Sequence, residues 1–218
     1  IGRCRRLLDL DADPVAVDAA LAADPALAPL VASHPGRRVP RTVDGAEFAL
    51  RAVLGQQVST AAARTHAGRL VAAYGDPVVD PAGGLTHLFP TPDALVDLAP
   101  GDLAAPASRI ATFTGLAAAL ASGRLDLDPG ADRDAARAVL ARLKGIGPWT
   151  VEMVAMRSLG DPDAFPATDL GLKRAAAELG MPDPAAASQR WRPWRAYATQ
   201  YLWAVDDHPI NHLPQEES

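Results

Sequence analysis

The residues best suited to chemistry begin with a glycine-rich turn in the last third of the chain. Residues 145–148 read Gly-Ile-Gly-Pro, between a segment with the pattern of a helix end and one with the pattern of a helix start. Glycines allow a tight turn, and Pro148 suits the first position of a helix, where its missing N–H costs nothing. The turn at Gly145 and Gly147 therefore presents free N–H groups at the positive end of a helix, which can bind a DNA phosphate without a lysine.

Two neighbouring side chains extend this predicted phosphate site. Ile146 is expected to plug the turn, and Thr150 can add a hydroxyl group to the same anion. Contacts of this kind position DNA but do not read its base sequence. Taken alone, a Gly-x-Gly-Pro segment is more often an ordinary connection between two helices.

Asp169 is the candidate catalytic group. It lies within DAFPATDLGLKR, residues 163–174, beyond the turn. A carboxylate in such a place can stabilise positive charge that develops on a bound substrate and can activate water. Thr168 or Asp169 could equally be the N-cap of a helix over Leu170 to Leu179, whereas Asp161 and Asp163 have the pattern of loop acids.

Residues 140–159, LARLKGIGPWTVEMVAMRSL, resemble the helix-hairpin-helix of the DNA glycosylase superfamily, with the AlkA-type branch nearest. In that family an essential aspartate begins the helix after the hairpin, and Asp169 is the residue that matches. The resemblance implies cleavage of an N-glycosidic bond, in which the carboxylate stabilises the positive charge on the deoxyribose. The resemblance also implies a structural Na⁺ or K⁺ held by turn carbonyls, which by position are those of Ala141, Leu143 and Ile146. It implies no other cofactor.

The residue after Pro148 bears on the reaction class. Superfamily members that also act as lyases carry a nucleophilic lysine there, which forms a Schiff base with the sugar. This chain has Trp149. The resemblance therefore implies a monofunctional DNA-3-methyladenine glycosylase of type II, which leaves an abasic site and does not cut the strand.

Trp149 and Trp203 match the family's base-pocket positions. An indole face attracts a flipped, positively charged base such as 3-methyladenine or 7-methylguanine by cation–π contact. Met153 and Leu170 are expected to line the same pocket, in positions where the family carries tyrosine. With Gly171 in place of leucine, they predict a roomier, less aromatic pocket and a shifted lesion preference.

Three further parts of the chain carry predictions for binding or packing. Residues 48–75 contain RAVLGQQVS, which is similar to the family segment whose loop fills the gap left by the flipped nucleotide, and Gln57 takes the inserted position. Gln56 and Gln57 could instead only cap and bridge helices. Trp191 and Trp194 are expected to fill a core, and Arg195 beside them to reach a phosphate.

The elements that must position these residues are helices. After the first dozen residues the pattern is helical, with predicted N-caps at Asp13, Asp44, Ser59 and Asp132 or Asp134. Arg3 to Leu10 has the pattern of one strand. We therefore predict a mainly α, two-lobed helix-hairpin-helix glycosylase fold. Residues 1–12 would be the remnant strand of an N-terminal sheet domain, and residues 13–218 would form the glycosylase domain with its hairpin at 132–159.

Composition excludes several other classes of protein. The chain has 218 residues, of which 49% are hydrophobic and 22% charged, enough for a sizeable core. One cysteine allows neither an internal disulfide nor a four-cysteine cluster. No membrane segment or signal peptide is recognisable. The histidines do not have the spacing of metal ligands, so we expect no metal site among them. They are His34, His66, His87, His208 and His212.

A net charge of −5 argues mildly against DNA as a partner, but less so if backbone amides make the contact. The sequence thus predicts a monomeric bacterial enzyme of the cytoplasm, associated with the nucleoid, that acts on alkylated bases in double-stranded DNA. The alternatives are a non-enzymatic DNA-binding module and a glycosylase for adenine mismatches or oxidised bases. The unpaired strand predicts a fragment of a longer protein, such as a fusion to an Ada-type methyltransferase.

Overall fold

A computed structural model describes residues 1–99 and 101–205. Its regular elements are helices, and the β pairing it shows within these ranges is one isolated bridge between Pro77 and His87. The α-helices are α1 (Gly2–Leu7), α2 (Pro14–Leu21), α3 (Ala28–Ser33), α4 (Gly45–Leu54), α5 (Thr60–Tyr74), α6 (Ala107–Ala121), α7 (Arg133–Arg142), α8 (Pro148–Arg157), α9 (Leu170–Glu178), α10 (Pro184–Ala187) and α11 (Arg195–Trp203). The predicted mainly α fold is confirmed.

The chain forms two compact units, and the first combines its two ends. Residues 1–43 and 160–218 belong to this unit, which holds α1 to α3 and α9 to α11. Helix α9 packs on α11, and the core between them includes the fully buried Leu172 and Leu202. The candidate catalytic Asp169 lies in this unit.

The second unit, residues 44–159, holds α4 to α8 and the hairpin. Helix α4 packs against α5, α6 and α8, while α7 packs against α8. Its core is apolar and includes Leu50, Phe113, Leu116 and Val154, all fully buried. Burial of apolar surface at these positions is what holds the hairpin helix α8 on α4.

The predicted helix starts agree with the structure. The side chains of Asp13, Asp44, Ser59 and Asp132 each accept hydrogen bonds from backbone N–H groups in the first turn of α2, α4, α5 and α7. These N–H groups have no partner inside the helix, so a short side-chain acceptor fixes where the helix begins.

The strand predicted for Arg3 to Leu10 is wrong. Residues 2–7 form α1, in which Arg5 N–H donates to the Ile1 carbonyl at 3.0 Å. A lone strand would leave its backbone groups unpaired, whereas a helix pairs them within the segment. The division into contact units does not test the predicted domain boundary at residue 12, which stays a prediction.

No helix among the described residues is both long enough and apolar enough to cross a lipid bilayer.

Candidate functional site

The hairpin of the second unit has the predicted turn. Helix α7 ends at Arg142 and α8 begins at Pro148, with Gly147 as its N-cap. Gly145 has a φ of +87°, and a Cβ added to it would lie 2.0 Å from the Thr112 Oγ1. Gly147 has a φ of −91° and nothing within 4 Å of an added Cβ. The first glycine is therefore needed for packing, and the second keeps the outside of the turn open.

Two side chains beside this turn carried predictions. Ile146 is buried and plugs the turn as predicted. Thr150 is only 3% exposed, and its Oγ1 accepts a hydrogen bond from the Gln56 Nε2 at 3.2 Å. The hydroxyl thus has a partner inside the protein, and its phosphate contact stays a prediction.

Gln56 connects the hairpin to the turn between α4 and α5. Its Nε2 donates to the Gly145 carbonyl at 3.3 Å as well as to Thr150. Gln56 thus makes a bridging contact of the kind that the alternative for Gln56 and Gln57 expected, while that alternative stays a prediction for Gln57. The Gln56 amide holds the α4–α5 turn against the turn at residues 145–148 within one unit.

Gln57, the predicted inserted residue, occupies a strained position on that turn. Its side chain is exposed, and its φ is +54°, a left-handed conformation that residues other than glycine rarely adopt. Ser59 then caps α5 two residues later. Left-handed backbone at a residue with a long polar side chain costs stability and is often found at functional positions. Its insertion into DNA stays a prediction.

Helix α8 carries the two predicted base contacts of the second unit. Trp149 and Met153 are half-buried and lie one helical turn apart, so they share a side of the helix. An ion pair between Arg137 and Glu152, with a closest distance of 3.1 Å, joins α7 to α8 beside them. This ion pair helps to hold α7 against α8, the helix that carries both side chains.

Asp169 is the N-cap of α9 and also contacts an indole. Its Oδ1 accepts a hydrogen bond from the Leu172 N–H at 2.8 Å and another from the Trp203 Nε1 at 2.9 Å. The open choice between Thr168 and Asp169 as N-cap is settled in favour of Asp169. The structure brings together two of the predicted site residues, a carboxylate and a tryptophan, within the first unit.

Leu170 and Gly171, the two residues that follow Asp169, depart from the family pattern. Leu170 is 73% exposed, which is unusual for a large apolar side chain and leaves it accessible to a ligand. A Cβ on Gly171 would lie 3.3 Å from the Asp169 Oδ1 and 3.7 Å from the Trp203 Cδ1. The absence of a side chain at Gly171 therefore leaves room for the carboxylate that the indole contacts.

The remaining tryptophans have structural contacts. Trp191 is buried, and its Nε1 donates to the Asp24 Oδ2 at 2.7 Å. Trp194 packs edge-on against Tyr197 with ring centroids 5.8 Å apart. Both contacts agree with the predicted packing role.

Arg195 does not point freely into solvent. Its guanidinium forms two hydrogen bonds with Asp163, at 2.7 and 2.9 Å, and its side chain is 15% exposed. This pairing holds the 161–166 loop on α11 and competes with the predicted phosphate contact, which stays a prediction. Asp163 is thus a loop acid, as the sequence indicated.

The carbonyls of Ala141, Leu143 and Ile146 suit the Na⁺ or K⁺ that the resemblance implies. Ala141 lies in the last turn of α7, where helix carbonyls lack partners within the helix and the dipole is negative. The Leu143 carbonyl accepts from the Ile146 N–H at 3.1 Å and has a second lone pair. Neutral backbone oxygens of this kind coordinate monovalent cations.

No group of three or more histidine, cysteine, aspartate or glutamate side chains within residues 1–99 and 101–205 is arranged to hold a metal ion. His208 and His212 lie outside the described residues.

Two contacts at this site were not predictable from the sequence as functional features. The hydrogen bond from Gln56 to Gly145 joins residues far apart in the chain, and the segment RAVLGQQVS does not indicate which group the Gln56 amide contacts. The role of Gly171 depends on a residue of another helix, Trp203. In the sequence, this role was indicated only by the departure of Gly171 from the family pattern.

Comparisons with known protein families account for most of the chain. Residues 50–194 match the family model described as HhH-GPD superfamily base excision DNA repair protein, and residues 1–44 match that of the AlkA N-terminal domain. The HhH-GPD match covers both the hairpin and Asp169.

Two curated relatives are similar along nearly the whole chain. A probable bifunctional transcriptional activator/DNA repair enzyme AlkA of Mycobacterium tuberculosis is 59% identical over 99% of this chain and 44% of its own length. DNA-3-methyladenine glycosylase 2 of Escherichia coli is 32% identical over 94% of this chain and 71% of its own. The chain thus spans less than half the length of the mycobacterial relative.

Among solved structures, the fold is shared with an 8-oxoguanine glycosylase/lyase of Clostridium acetobutylicum in complex with double-stranded DNA. The TM-score is 0.75 at 19% identity, over 92% of this chain and 72% of that one. At this identity the similarity concerns the fold and leaves the substrate open.

Proposed function

The chain belongs to the HhH-GPD superfamily of base excision DNA repair proteins, and on that premise we propose that it is a monofunctional DNA glycosylase for alkylated bases. Its substrate is double-stranded DNA that contains 3-methyladenine or 7-methylguanine, and its product is an abasic site. It works as a monomer on the bacterial nucleoid, in the cytoplasm.

The observation that carries this proposal is the held carboxylate of Asp169. Its Oδ1 is fixed by the Leu172 N–H and the Trp203 indole, at the start of a helix that follows a hairpin of the family type. A carboxylate in a fixed position at a helix N-terminus can stabilise positive charge that develops nearby without reorganising at the moment of reaction.

The reaction needs little else from the protein. When the C1′–N bond of a cationic alkylated base breaks, its electron pair leaves with the base, which departs neutral. Positive charge moves to the deoxyribose and is stabilised by Asp169. A water oxygen then bonds to C1′, and the carboxylate or solvent takes the proton. No general acid is required.

The other site residues have binding roles in this proposal. The N–H groups of the turn at Gly145 and Gly147 bind a backbone phosphate, with the monovalent cation at the carbonyl end of the turn. Gln57 fills the space of the extruded nucleotide. The indoles of Trp149 and Trp203, with Met153 and Leu170, contact the base.

Trp149 supports the absence of lyase activity. Indole has no nucleophilic amine, so a Schiff base cannot form at this position as it does with lysine. The M. tuberculosis and E. coli relatives support the alkylated-base substrate by their names, whereas the shared fold of an 8-oxoguanine enzyme does not distinguish substrates.

Product analysis tests the proposed function. Methylated duplex DNA is incubated with the protein, free bases are identified by mass spectrometry, and the strand is examined before and after hot alkali. We expect free 3-methyladenine or 7-methylguanine, a strand that is cut only after alkali, and no covalent adduct on treatment with sodium borohydride.

Each of the other outcomes assigns a different function. Binding to duplex DNA without base release identifies a non-enzymatic phosphate-clamp module, whose affinity falls steeply with salt. A borohydride-trapped adduct identifies a lyase. Release of 8-oxoguanine or of mismatched adenine, with alkylated bases left in place, moves the substrate to another class.

A further inference from the structure

The Trp203 indole makes a contact that a purely aromatic pocket wall would not need. Its Nε1 donates to the Asp169 Oδ1 at 2.9 Å, and the Leu172 N–H donates to the same oxygen at 2.8 Å. The indole comes from α11, while the backbone donor belongs to the helix that Asp169 caps. Two donors on different elements thus converge on one carboxylate oxygen.

Two converging donors restrain the Asp169 carboxylate more than the N-cap hydrogen bond alone does. Rotation about the last torsion of an aspartate is soft, so one hydrogen bond to an N-cap leaves the carboxylate plane free to turn. A second donor on Oδ1, from another helix, removes that freedom. Together the two hydrogen bonds determine the direction in which Oδ2 points.

Gly171 makes this arrangement sterically feasible. A Cβ at this position would lie 3.3 Å from the Asp169 Oδ1, tighter than ordinary contact, and 3.7 Å from the Trp203 Cδ1. Glycine in a helix is less stable than alanine. Glycine at position 171 therefore makes the helix less stable but keeps space for the carboxylate that the indole contacts.

We propose that Trp203 is a positioning residue, which through its N–H holds the Asp169 carboxylate where it stabilises the positive charge that develops on the deoxyribose, and that Gly171 preserves the space that this carboxylate needs. The inference rests on the proposed function and deepens it. The indole N–H acts on the reaction rate, and the indole face contributes to base binding.

Two substitutions separate the N–H from the aromatic face. Trp203→Phe removes the donor and keeps an aromatic ring, while 3-benzothienylalanine at this position replaces N–H by sulfur at nearly unchanged size. Trp191→Phe is the matched control, because Trp191 makes the same kind of bond to Asp24 at 2.7 Å in the same unit. The readouts are the single-turnover rate of base release from methylated duplex and the Kd for duplex with an abasic site.

We expect both changes at 203 to slow single-turnover release by roughly ten- to a hundredfold, as the loss of a hydrogen bond to a charged group does. The Kd should change little, because the aromatic area is kept. Trp191→Phe should lower the melting temperature and leave the rate of the folded protein unchanged.

Gly171→Ala is a second test of the contact between Trp203 and Asp169. The methyl group should press on the Asp169 carboxylate, whose Oδ1 would lie 3.3 Å from the new Cβ, and slow release several-fold, while the melting temperature stays the same or rises because alanine favours the helix. A merely structural role for Gly171 predicts instead that rate and stability change together.

Equal release rates for wild type and the benzothienylalanine protein would overturn the inference, as would a change in Kd that accounts for the whole loss. This failure is distinct from that of the proposed function. If wild type releases no alkylated base, the proposed function fails; if wild type is active and the N–H is dispensable, only the role of Trp203 fails.

Discussion

At the scale of single residues, two glycines of one turn have different reasons to be glycine. Gly145 combines a φ of +87° with a Cβ position that overlaps the buried Thr112. Gly147 has ordinary backbone and open space around it. The sequence predicts a turn from both, but it cannot tell which one serves packing, because Thr112 lies on another helix, α6.

Alanine at each position should therefore have a different effect. Gly145→Ala should lower the free energy of unfolding by about 1–3 kcal/mol, from left-handed strain and the clash. Gly147→Ala should leave stability unchanged and weaken duplex binding by roughly tenfold, because a methyl group then blocks an amide–phosphate hydrogen bond. Urea denaturation and fluorescence anisotropy measure the two effects.

The reverse pattern, with Gly147→Ala unstable and Gly145→Ala deficient only in binding, would contradict this division. Duplex binding by each variant is compared with that of the wild-type protein at two salt concentrations, because phosphate contacts weaken with salt.

At the scale of elements, local chemistry made the helix starts predictable. A side-chain acceptor and the N–H groups it satisfies lie within three residues of each other, so Asp44 or Asp132 identifies the start of a helix without knowledge of the fold. For the same reason Asp169 could be predicted either as a cap or as a catalytic group. The structure shows the cap, and the proposed chemistry uses the same carboxylate.

The error at this scale concerns a short segment. Arg3 to Leu10 was predicted as a strand, but the described residues offer no partner strand, and local i to i+4 hydrogen bonds form a helix instead. The hydrogen bond between Gln56 and Thr150 was not predictable because the two residues are distant in sequence. Local patterns do not contain such partners.

At the scale of the molecule, the first 43 residues form one unit with the helices that carry Asp169 and Trp203. Aspartates of the N-terminal part accept hydrogen bonds from aromatic residues of the C-terminal part, in the pairs Asp9 with Tyr197 (2.7 Å), Asp18 with Tyr201 (2.6 Å) and Asp24 with Trp191 (2.7 Å). No sequence pattern predicts these pairs. The segment that matches the AlkA N-terminal domain thus supports the unit that holds the candidate catalytic carboxylate.

One of these pairs gives a pH dependence. Burial and the hydrogen bond to Asp18 raise the pKa of Tyr201 from 10.0 to about 12. Because the folded protein keeps this proton longer than the unfolded chain, the contribution to stability is complete below pH 10 and is lost as the pH rises toward 12.

Tyr201→Phe should therefore make the decline of stability across this alkaline range shallower. Tyr197, whose pKa burial also raises, should keep part of the decline. Urea denaturation at a series of pH values measures the effect. An unchanged alkaline decline in Tyr201→Phe would show that the pair with Asp18 does not contribute.

In the proposed mechanism, the charge of Asp169 lowers the barrier to base release. Asparagine is about as good an N-cap as aspartate and can still accept from Leu172 and Trp203, so Asp169→Asn removes the charge and keeps the local structure. Single-turnover release of alkylated bases from methylated duplex is measured for both proteins. We expect a rate lower by roughly a hundredfold or more in Asp169→Asn, at unchanged melting temperature and DNA affinity. Equal rates for the two proteins would show that the charge of Asp169 does not assist base release.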